Sequence, residues 1–526
     1  MAIAIDFGTS NTVITRWNPV TLQPETLKLP RFSLIQGQNP PLIPSLVYTE
    51  DASQGKVLVG QQVRDKGLDI SSDARFFRNF KRGIGTPIQG FMPELDGVTL
   101  TFEQVGEWFL SQILQQLSTE DSLVLTVPVD SFEAYRHWLG KVCQGLSVER
   151  VRMLDEPTAA ALGYGMANQE ILLVVDFGGG TLDLSLVRLD SSLEKNPLGF
   201  ILKWGEKSFA EKSGQKLKRA RVLAKAGQNL GGSDIDNWLV DYFAETQGLV
   251  KSPLTTRLAE KLKIQLSLTS EASEVYFDVA QMESYELALN RNRFHEILAQ
   301  HQFFEQLDEA MNQVLQQARR QGLEVADIDG VLLVGGTVQI PAVQSWVQQY
   351  FDRDKVRCEK PFEAIAQGAL QLEQGIEVTD FLYHSYGIRY WNRRNKRHSW
   401  HPIVKEGQPY PMREPVELTL GASVENQPQI ELILGELGAQ TGSTEVYFDG
   451  DRLITRILAS DEQNVQPLND RDGARTIAQL RPPGHPGSDR VKVLFRVDDR
   501  RFLRMTVEDL LTHQTLLEDK PVVQLS

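Results

Sequence analysis

Cysteine is nearly absent: the 526 residues hold two, Cys143 and Cys358, far apart and with no other Cys or His cluster beside them. That excludes a disulfide framework and a zinc site, and it fits a reducing compartment. Long apolar runs are missing too. Stretches such as Ile171 to Val175 fall far short of a bilayer span, and the opening Met1-Ala2-Ile3-Ala4-Ile5-Asp6 lacks the basic region and apolar run of a signal peptide. The expectation is a soluble, cytoplasmic chain with no membrane role. Positive charge is in deficit, with 55 Lys and Arg against 69 Asp and Glu, so the formal charge of −14 argues against nucleic acid as partner of the whole surface. The remainder, 41% hydrophobic and 24% charged, is ordinary for a folded chain. At about 150 residues per domain the length accommodates three or four domains or lobes.

The chain repeats itself. Ala2-Ile3-Ala4-Ile5-Asp6-Phe7-Gly8-Thr9 recurs in form at Leu172-Leu173-Val174-Val175-Asp176-Phe177-Gly178-Gly179-Gly180-Thr181, its Asp 170 positions later. In each copy an apolar run of strand length ends in Asp, passes through Phe-Gly, and alternates again (Thr12-Val13-Ile14; Leu182 to Leu186), the pattern of a tight hairpin. A third apolar strand, Val331 to Val334, runs into Gly335-Gly336-Thr337 and Ile340-Pro341, then a helical pattern from Ala342 to Phe351. Helical periodicity also marks Phe102 to Leu117 and Phe294 to Ala318. Strands alternating with helices up to Gln374-Gly375 predict an α/β fold of two homologous halves. Beyond that point short alternating runs, Val416 to Leu420, Ile430 to Leu434 and Arg490 to Val497, predict a β-rich C-terminal domain. Two basic stretches, Lys203 to Lys225 and Arg389 to Arg397, read as solvated loops, with docking of an anionic partner as the alternative.

A strand that ends in Asp-Phe-Gly and turns back presents several N–H groups to one small volume, and glycine lets the main chain approach a phosphate. Two such hairpins facing each other would clamp the phosphates of one nucleotide. Asp6 and Asp176 would then lie beside the polyphosphate, where carboxylates require an intervening cation; Mg²⁺, held largely through its waters, is expected.

Five motifs in order extend this reading: Asp6-Phe7-Gly8-Thr9-Ser10-Asn11-Thr12, Glu156-Pro157-Thr158-Ala159-Ala160-Ala161, Asp176-Phe177-Gly178-Gly179-Gly180-Thr181-Leu182-Asp183, Leu230-Gly231-Gly232-Ser233-Asp234-Ile235-Asp236-Asn237 and Val334-Gly335-Gly336-Thr337-Val338-Gln339-Ile340-Pro341. Together they resemble the seventy-kilodalton heat-shock chaperones of the DnaK type. The resemblance implies a two-lobed actin-like ATPase, the duplicated ribonuclease H-like fold, over residues 1–375, a linker at 376–384, and a β-sandwich peptide-binding domain over 385–526. It implies ATP/ADP and Mg²⁺ as ligands, with Asp6 and Asp176 in the metal's water shell and Thr9, Ser10 and Gly178, Gly179, Gly180 and Thr181 around the phosphates. Lys81 matches the lysine that positions the attacking water and Glu156 the carboxylate that helps orient it, so that Lys81, Glu156, Asp6, Asp176 and Thr181 form the implied catalytic set. Gly231, Gly232, Glu260, Lys263, Ser267, Gly335, Gly336 and Thr337 fall on the ribose and adenine side, where Ile264 would cover the base by apolar contact. Pro128 and Arg136 match the family's inter-lobe relay, its proline switch and the arginine that senses it, and Arg152 a surface for cochaperone and linker. Leu420 and Ile430, with Trp391, fall at the implied peptide pocket. Unfolded or extended peptide segments, a J-domain cochaperone and a nucleotide-exchange factor are the implied partners; the implied context is protein folding and the stress response.

Three departures qualify the resemblance. Ser526 falls where the family's helical lid would begin; the linker position, Ile376-Glu377-Val378-Thr379-Asp380, breaks the usual leucine run; and the basic segment from Leu193 to Ala226 is longer than the family's connection. Two functions therefore stay open: an ATP-hydrolysing chaperone with weak intrinsic turnover, or a nucleotide-gated scaffold that scarcely hydrolyses ATP and docks one dedicated partner. A filament-forming or sugar-phosphorylating relative on the same fold is a third, favoured less by the β-rich tail.

Overall fold

The structure is a computed structural model that describes the chain apart from residues 1, 19, 22, 87, 90–92, 118–121, 129–132, 145–149, 166–169, 191–199, 203–218, 279–281, 375–381, 383–384, 393–396, 406–407, 409, 413, 438–442, 450–451, 459–464, 469–474, 499–500 and 526. Most of the linker position, most of the first basic stretch and residues 393–396 of the second thus lie outside the described residues; what is described of the two stretches belongs to the strands Arg219–Gln228, Ser385–Asn392 and Arg397–Val404 rather than to loops. The chain divides into two compact units, Met1–Val378 with Val446–Thr455, and Thr379–Glu445 with Arg456–Ser526.

The first unit is mixed α/β and is built on two sheets. Ala2–Phe7 and Ile171–Phe177 are apolar along nearly their whole length because each is a central strand covered on both faces. Each pairs antiparallel with the strand that follows it, Asn11–Trp17 and Leu182–Asp190, and parallel with a later one, Ser122–Val127 and Gly330–Val334. The first sheet runs Phe200–Leu202, Arg150–Asp155, Ser122–Val127, Ala2–Phe7, Asn11–Trp17, Pro24–Thr26; the second runs Arg219–Gln228, Leu182–Asp190, Ile171–Phe177, Gly330–Val334, Val356–Arg357. The same hairpin-plus-parallel-strand arrangement therefore occurs twice, and it puts Asp6 and Asp176 at equivalent strand ends.

Between the sheets lie the helices Glu156–Gly163 and Ala364–Leu370, whose alanines join Ala2, Ala4, Leu172, Val174, Leu332 and Val334 in one core. Small side chains are needed here: a Cβ on Gly368 would collide with the Ala159 carbonyl. Pro157 at the helix start and Asp155, whose carboxylate accepts the Thr158 N–H at 2.8 Å, fix where this helix begins and so where Glu156 stands. The single periodic stretch expected over Phe294 to Ala318 is two helices, Arg291–Gln300 and Phe303–Arg320. Gln302, at φ 54°, turns the chain between them while the apolar spacing carries on into the same core.

The second unit is all β. One sheet runs Arg397–Val404, Ser385–Asn392, Leu434–Leu437, Val465–Pro467, another Val416–Gly421, Asp489–Val497, Phe502–Asp509, Gln514–Gln524, and Gln427–Leu432 pairs with Arg475–Gly484. The run expected as one strand, Ile430 to Leu434, breaks at Ile433, where the chain passes from one sheet to another. Alternation along Asp489–Val497 and Phe502–Asp509 sends Val491, Val493, Phe495, Leu503, Met505 and Val507 into the core. Among the described residues no helix is long and apolar enough to cross a membrane.

Candidate functional site

Within the first unit, the short turn Phe80–Gly83 carries Lys81 to the start of the helix Glu156–Gly163, where its Nζ lies 3.1 Å from Glu156 Oε1. The two side chains are about nine-tenths buried, at 11% and 10% exposure. Burial works against the Lys81 ammonium, but Glu156, Tyr135 and Asp6 outweigh it and raise its pKa above the ordinary lysine value. Asp6 accepts from Thr126 Oγ1 at 2.8 Å, yet burial, with the charge of Glu156, pushes its carboxyl up to about 6. Asp176 is raised well above the ordinary carboxylate range by burial and then by Glu156, Asp183 and Asp6, with Lys81 pulling the other way. The sequence-predicted Asp6, Lys81, Glu156 and Asp176 thus come together as one electrostatic cluster with surplus negative charge.

The turns beside these carboxylates meet face to face. A Cβ on Gly179 would overlap the Ser10 hydroxyl, and one on Gly180 would stand 2.8 Å from Thr9 Cγ2, so neither turn could approach the other with larger residues. The second turn is held from behind: Gly178 O accepts from Gly232 N at 3.1 Å and from Thr337 Oγ1 at 2.8 Å, Gly179 O accepts from Ser233 N at 2.9 Å, and Thr181 O accepts from Gly178 N at 3.0 Å. Gly335, at φ 87°, occupies the left-handed region, and a Cβ there would strike the Phe177 carbonyl; Gly336 opens the turn Gly336–Gln339. Gly231 caps the helix Gly232–Gln247 and packs on Gly179.

The helix Pro253–Leu268 supplies the remaining predicted residues. Lys263 Nζ pairs with Asp236 Oδ1 at 2.7 Å and donates to Gly232 O at 2.8 Å, and Ser267 Oγ donates to Lys263 O at 3.0 Å. Glu260 pairs with Arg64 Nη2 at 3.1 Å; burial opposes its charge, but Arg64, Lys263, Arg78 and Arg257 prevail and hold its pKa below the usual value. Burial pushes Asp236 up to about 6 despite Lys263. Ile264 is half-buried on the same helix.

The Hsp70 protein family model matches residues 94–194 and 219–384, more than half of the chain. The chain belongs to the Hsp70 family. It is similar to the chaperone protein DnaK of Thermus thermophilus, 25% identical over 559 aligned residues that take in 97% of this chain and 79% of the relative. It is likewise similar to the chaperone protein DnaK of Thermosipho africanus, 25% identical over 542 aligned residues, with 97% and 78% covered.

In this Hsp70-family chain the remaining predicted residues lie on other elements. Pro128 directly follows the strand Ser122–Val127, Arg136 is buried on the helix Glu133–Gln144, and Arg152 Nη1 donates to Leu372 O at 3.0 Å. In the second unit Ile430 is inside the core, Leu420 packs partly against that core, and Trp391 is 49% exposed on the strand Ser385–Asn392.

Sequence reasoning passed over three residues. Asp183, opposite Asp176 across the hairpin, lines a small cavity with Glu156, Asp176 and Lys225; its place one strand position into the second motif was the available signal. Arg82 has a side chain only 3% exposed that donates to Gly180 O and pairs with Asp234 Oδ2 at 3.0 Å. Tyr135 gave no signal beyond an aromatic in an amphipathic helix.

Among the described residues no three His, Cys, Asp or Glu side chains form a ready metal cage. The oxygen-only donors of Asp6 and Asp176, whose carboxyls are pushed up by burial and then by neighbouring carboxylates, nevertheless fit a hard cation.

Proposed function

We propose that this Hsp70-family chain is an ATP-hydrolysing molecular chaperone of the DnaK type. Residues 1–375 form the actin-like ATPase, 376–384 the linker and 385–526 the peptide-binding β-sandwich. The observation that carries this reading is the meeting of Asp6 and Asp176, from equivalent ends of two alike sheets, with the Lys81–Glu156 pair.

Thr9, Ser10 and the backbone of Gly178, Gly179, Gly180 and Thr181 bind the phosphates, while Gly231, Gly232, Glu260, Lys263, Ser267, Gly335, Gly336 and Thr337 take the adenosine. Asp6 and Asp176 would hold a magnesium ion through its waters, and the ion would supply neutralisation of charge on the polyphosphate. Lys81, fixed by Glu156, orients water against the terminal phosphate and offsets the charge that develops there. Pro128, Arg136 and Arg152 relay the nucleotide state, Leu420, Ile430 and Trp391 belong to the peptide-binding side, and the partners are extended peptides, a J-domain cochaperone and an exchange factor in a cytoplasmic setting.

The purified chain should turn ATP over slowly, and Lys81→Ala should lower single-turnover hydrolysis by about 100-fold; equal rates would contradict the catalytic assignment. The second reading, a nucleotide-gated scaffold, draws on Glu377 and Thr379 in the linker position. Peptide affinity that does not differ between ATP and ADP would favour it.

A further inference from the structure

Tyr135 lies in the first turn of the helix Glu133–Gln144 and is 4% exposed. Its hydroxyl oxygen meets no hydrogen-bond partner among the described residues. In that setting a phenol is less favourable than a phenylalanine of the same shape, because the hydroxyl loses water and gains nothing in return. The group therefore calls for a partner that is not part of the folded chain.

The surroundings say which. The Tyr135 ring packs 5.5 Å from Trp138, which lies 6.3 Å from Phe7, and Phe7 is the ring over which Lys81 Nζ sits at 5.6 Å. Gly85, two residues past the turn that bears Lys81, runs so close that a Cβ there would be 2.9 Å from Tyr135 N. The backbone of Tyr135 is thereby held close to the chain just past the Lys81 turn. The charged groups that act on the hydroxyl are Lys81, Glu156 and Asp6. Burial, against the opposing pull of Lys81, pushes the phenol to about 12, so it is neutral and keeps its proton at pH 7.

We propose that the Tyr135 hydroxyl is a water-positioning group of the phosphate site, hydrogen-bonding the water that Lys81 and Glu156 hold for attack on the terminal phosphate of ATP. The proposal rests on the nucleotide reading above. In the step it serves, the water oxygen bonds to the terminal phosphorus, and the bond from phosphorus to the bridging oxygen breaks with its electron pair left on ADP. The water's proton leaves with inorganic phosphate. Tyr135 accepts a hydrogen bond from the water and transfers no proton, so its work is orientation.

The test is Tyr135→Phe in the full chain, a change that keeps the ring and removes only the oxygen. Single-turnover hydrolysis of magnesium ATP should slow by about 10-fold, the worth of one aligned hydrogen bond. Affinity for ADP should stay within about twofold, while affinity for ADP with aluminium fluoride, which imitates the attacked phosphate, should fall by about 10-fold. The melting temperature should not drop, whereas a merely structural hydroxyl would move melting and ADP affinity together. Unchanged hydrolysis with unchanged aluminium fluoride affinity overturns the proposal. Failure of the unsubstituted chain to bind magnesium ATP overturns the nucleotide reading itself, and the role of Tyr135 with it.

Discussion

Asp6 and Lys81 show how single side chains are set against their ordinary chemistry. A carboxyl raised to about 6 binds protons in the folded chain at pH values where the unfolded chain has released them. The stability that Asp6 contributes is therefore full below the ordinary carboxylate value and is lost as pH rises through about 6. Asp6→Asn should stabilise the nucleotide-free chain at pH 7, on the order of 1 kcal/mol once solvent screening of this partly exposed carboxyl is discounted. Thermal unfolding across pH in the presence of a chelator checks this: the gain should shrink toward pH 4, and a variant that melts lower than the parent at pH 7 contradicts the assignment. Residues of this kind are legible when they end a repeated motif, as Asp6 and Asp176 do. Arg82 and Tyr135 are not, because a lone Arg beside Lys and a lone Tyr in a helix match a solvated surface and a packed core equally well; only the folded chain brings them to Gly180 and Lys81.

At the scale of elements, hairpins are the most readable feature. Period-two alternation, a Phe-Gly turn and a second alternating run fix both arms locally, and Asp6 opposite Val13 and Asp176 opposite Asp183 follow from that. The parallel neighbours are different: no local pattern says that Ser122–Val127 inserts between Ala2–Phe7 and Arg150–Asp155. In the second unit the strands Asp489–Val497 and Phe502–Asp509 are tied by Arg490 and Asp509, whose two hydrogen bonds of 3.0 and 2.8 Å are almost fully buried. Burial opposes the Asp509 charge, but Arg490 and the N–H groups of Leu511 and Thr512 hold its pKa down to about 2. The stabilisation is present above the ordinary carboxylate value and is lost as pH falls through about 2. Asp509→Asn leaves a buried guanidinium uncompensated and should cost about 3–5 kcal/mol. Amide hydrogen exchange in the strand Asp489–Val497 reads this out; unchanged protection in the variant contradicts it.

For the molecule as a whole, the change of character near Gly375 and the β-rich remainder are visible in the sequence because helical and strand periodicities differ. Which residues of the second unit face a ligand is not visible, since Leu420 and Ile430 carry the alternation of any sandwich core. The family match over residues 94–194 and 219–384 takes in Glu156 and Asp176 and leaves Asp6 and Lys81 outside it, while DnaK chaperones are similar along 97% of the chain. In the function proposed above, strand-end carboxylates from the two sheets serve one magnesium-bound nucleotide. Calorimetric titration of the full chain with ADP, with magnesium and then with chelator, tests it most directly, alongside Asp176→Asn. Tight binding that requires magnesium and weakens about 10- to 100-fold in the variant is the predicted result; binding that ignores both magnesium and Asp176, or no binding at all, would contradict it.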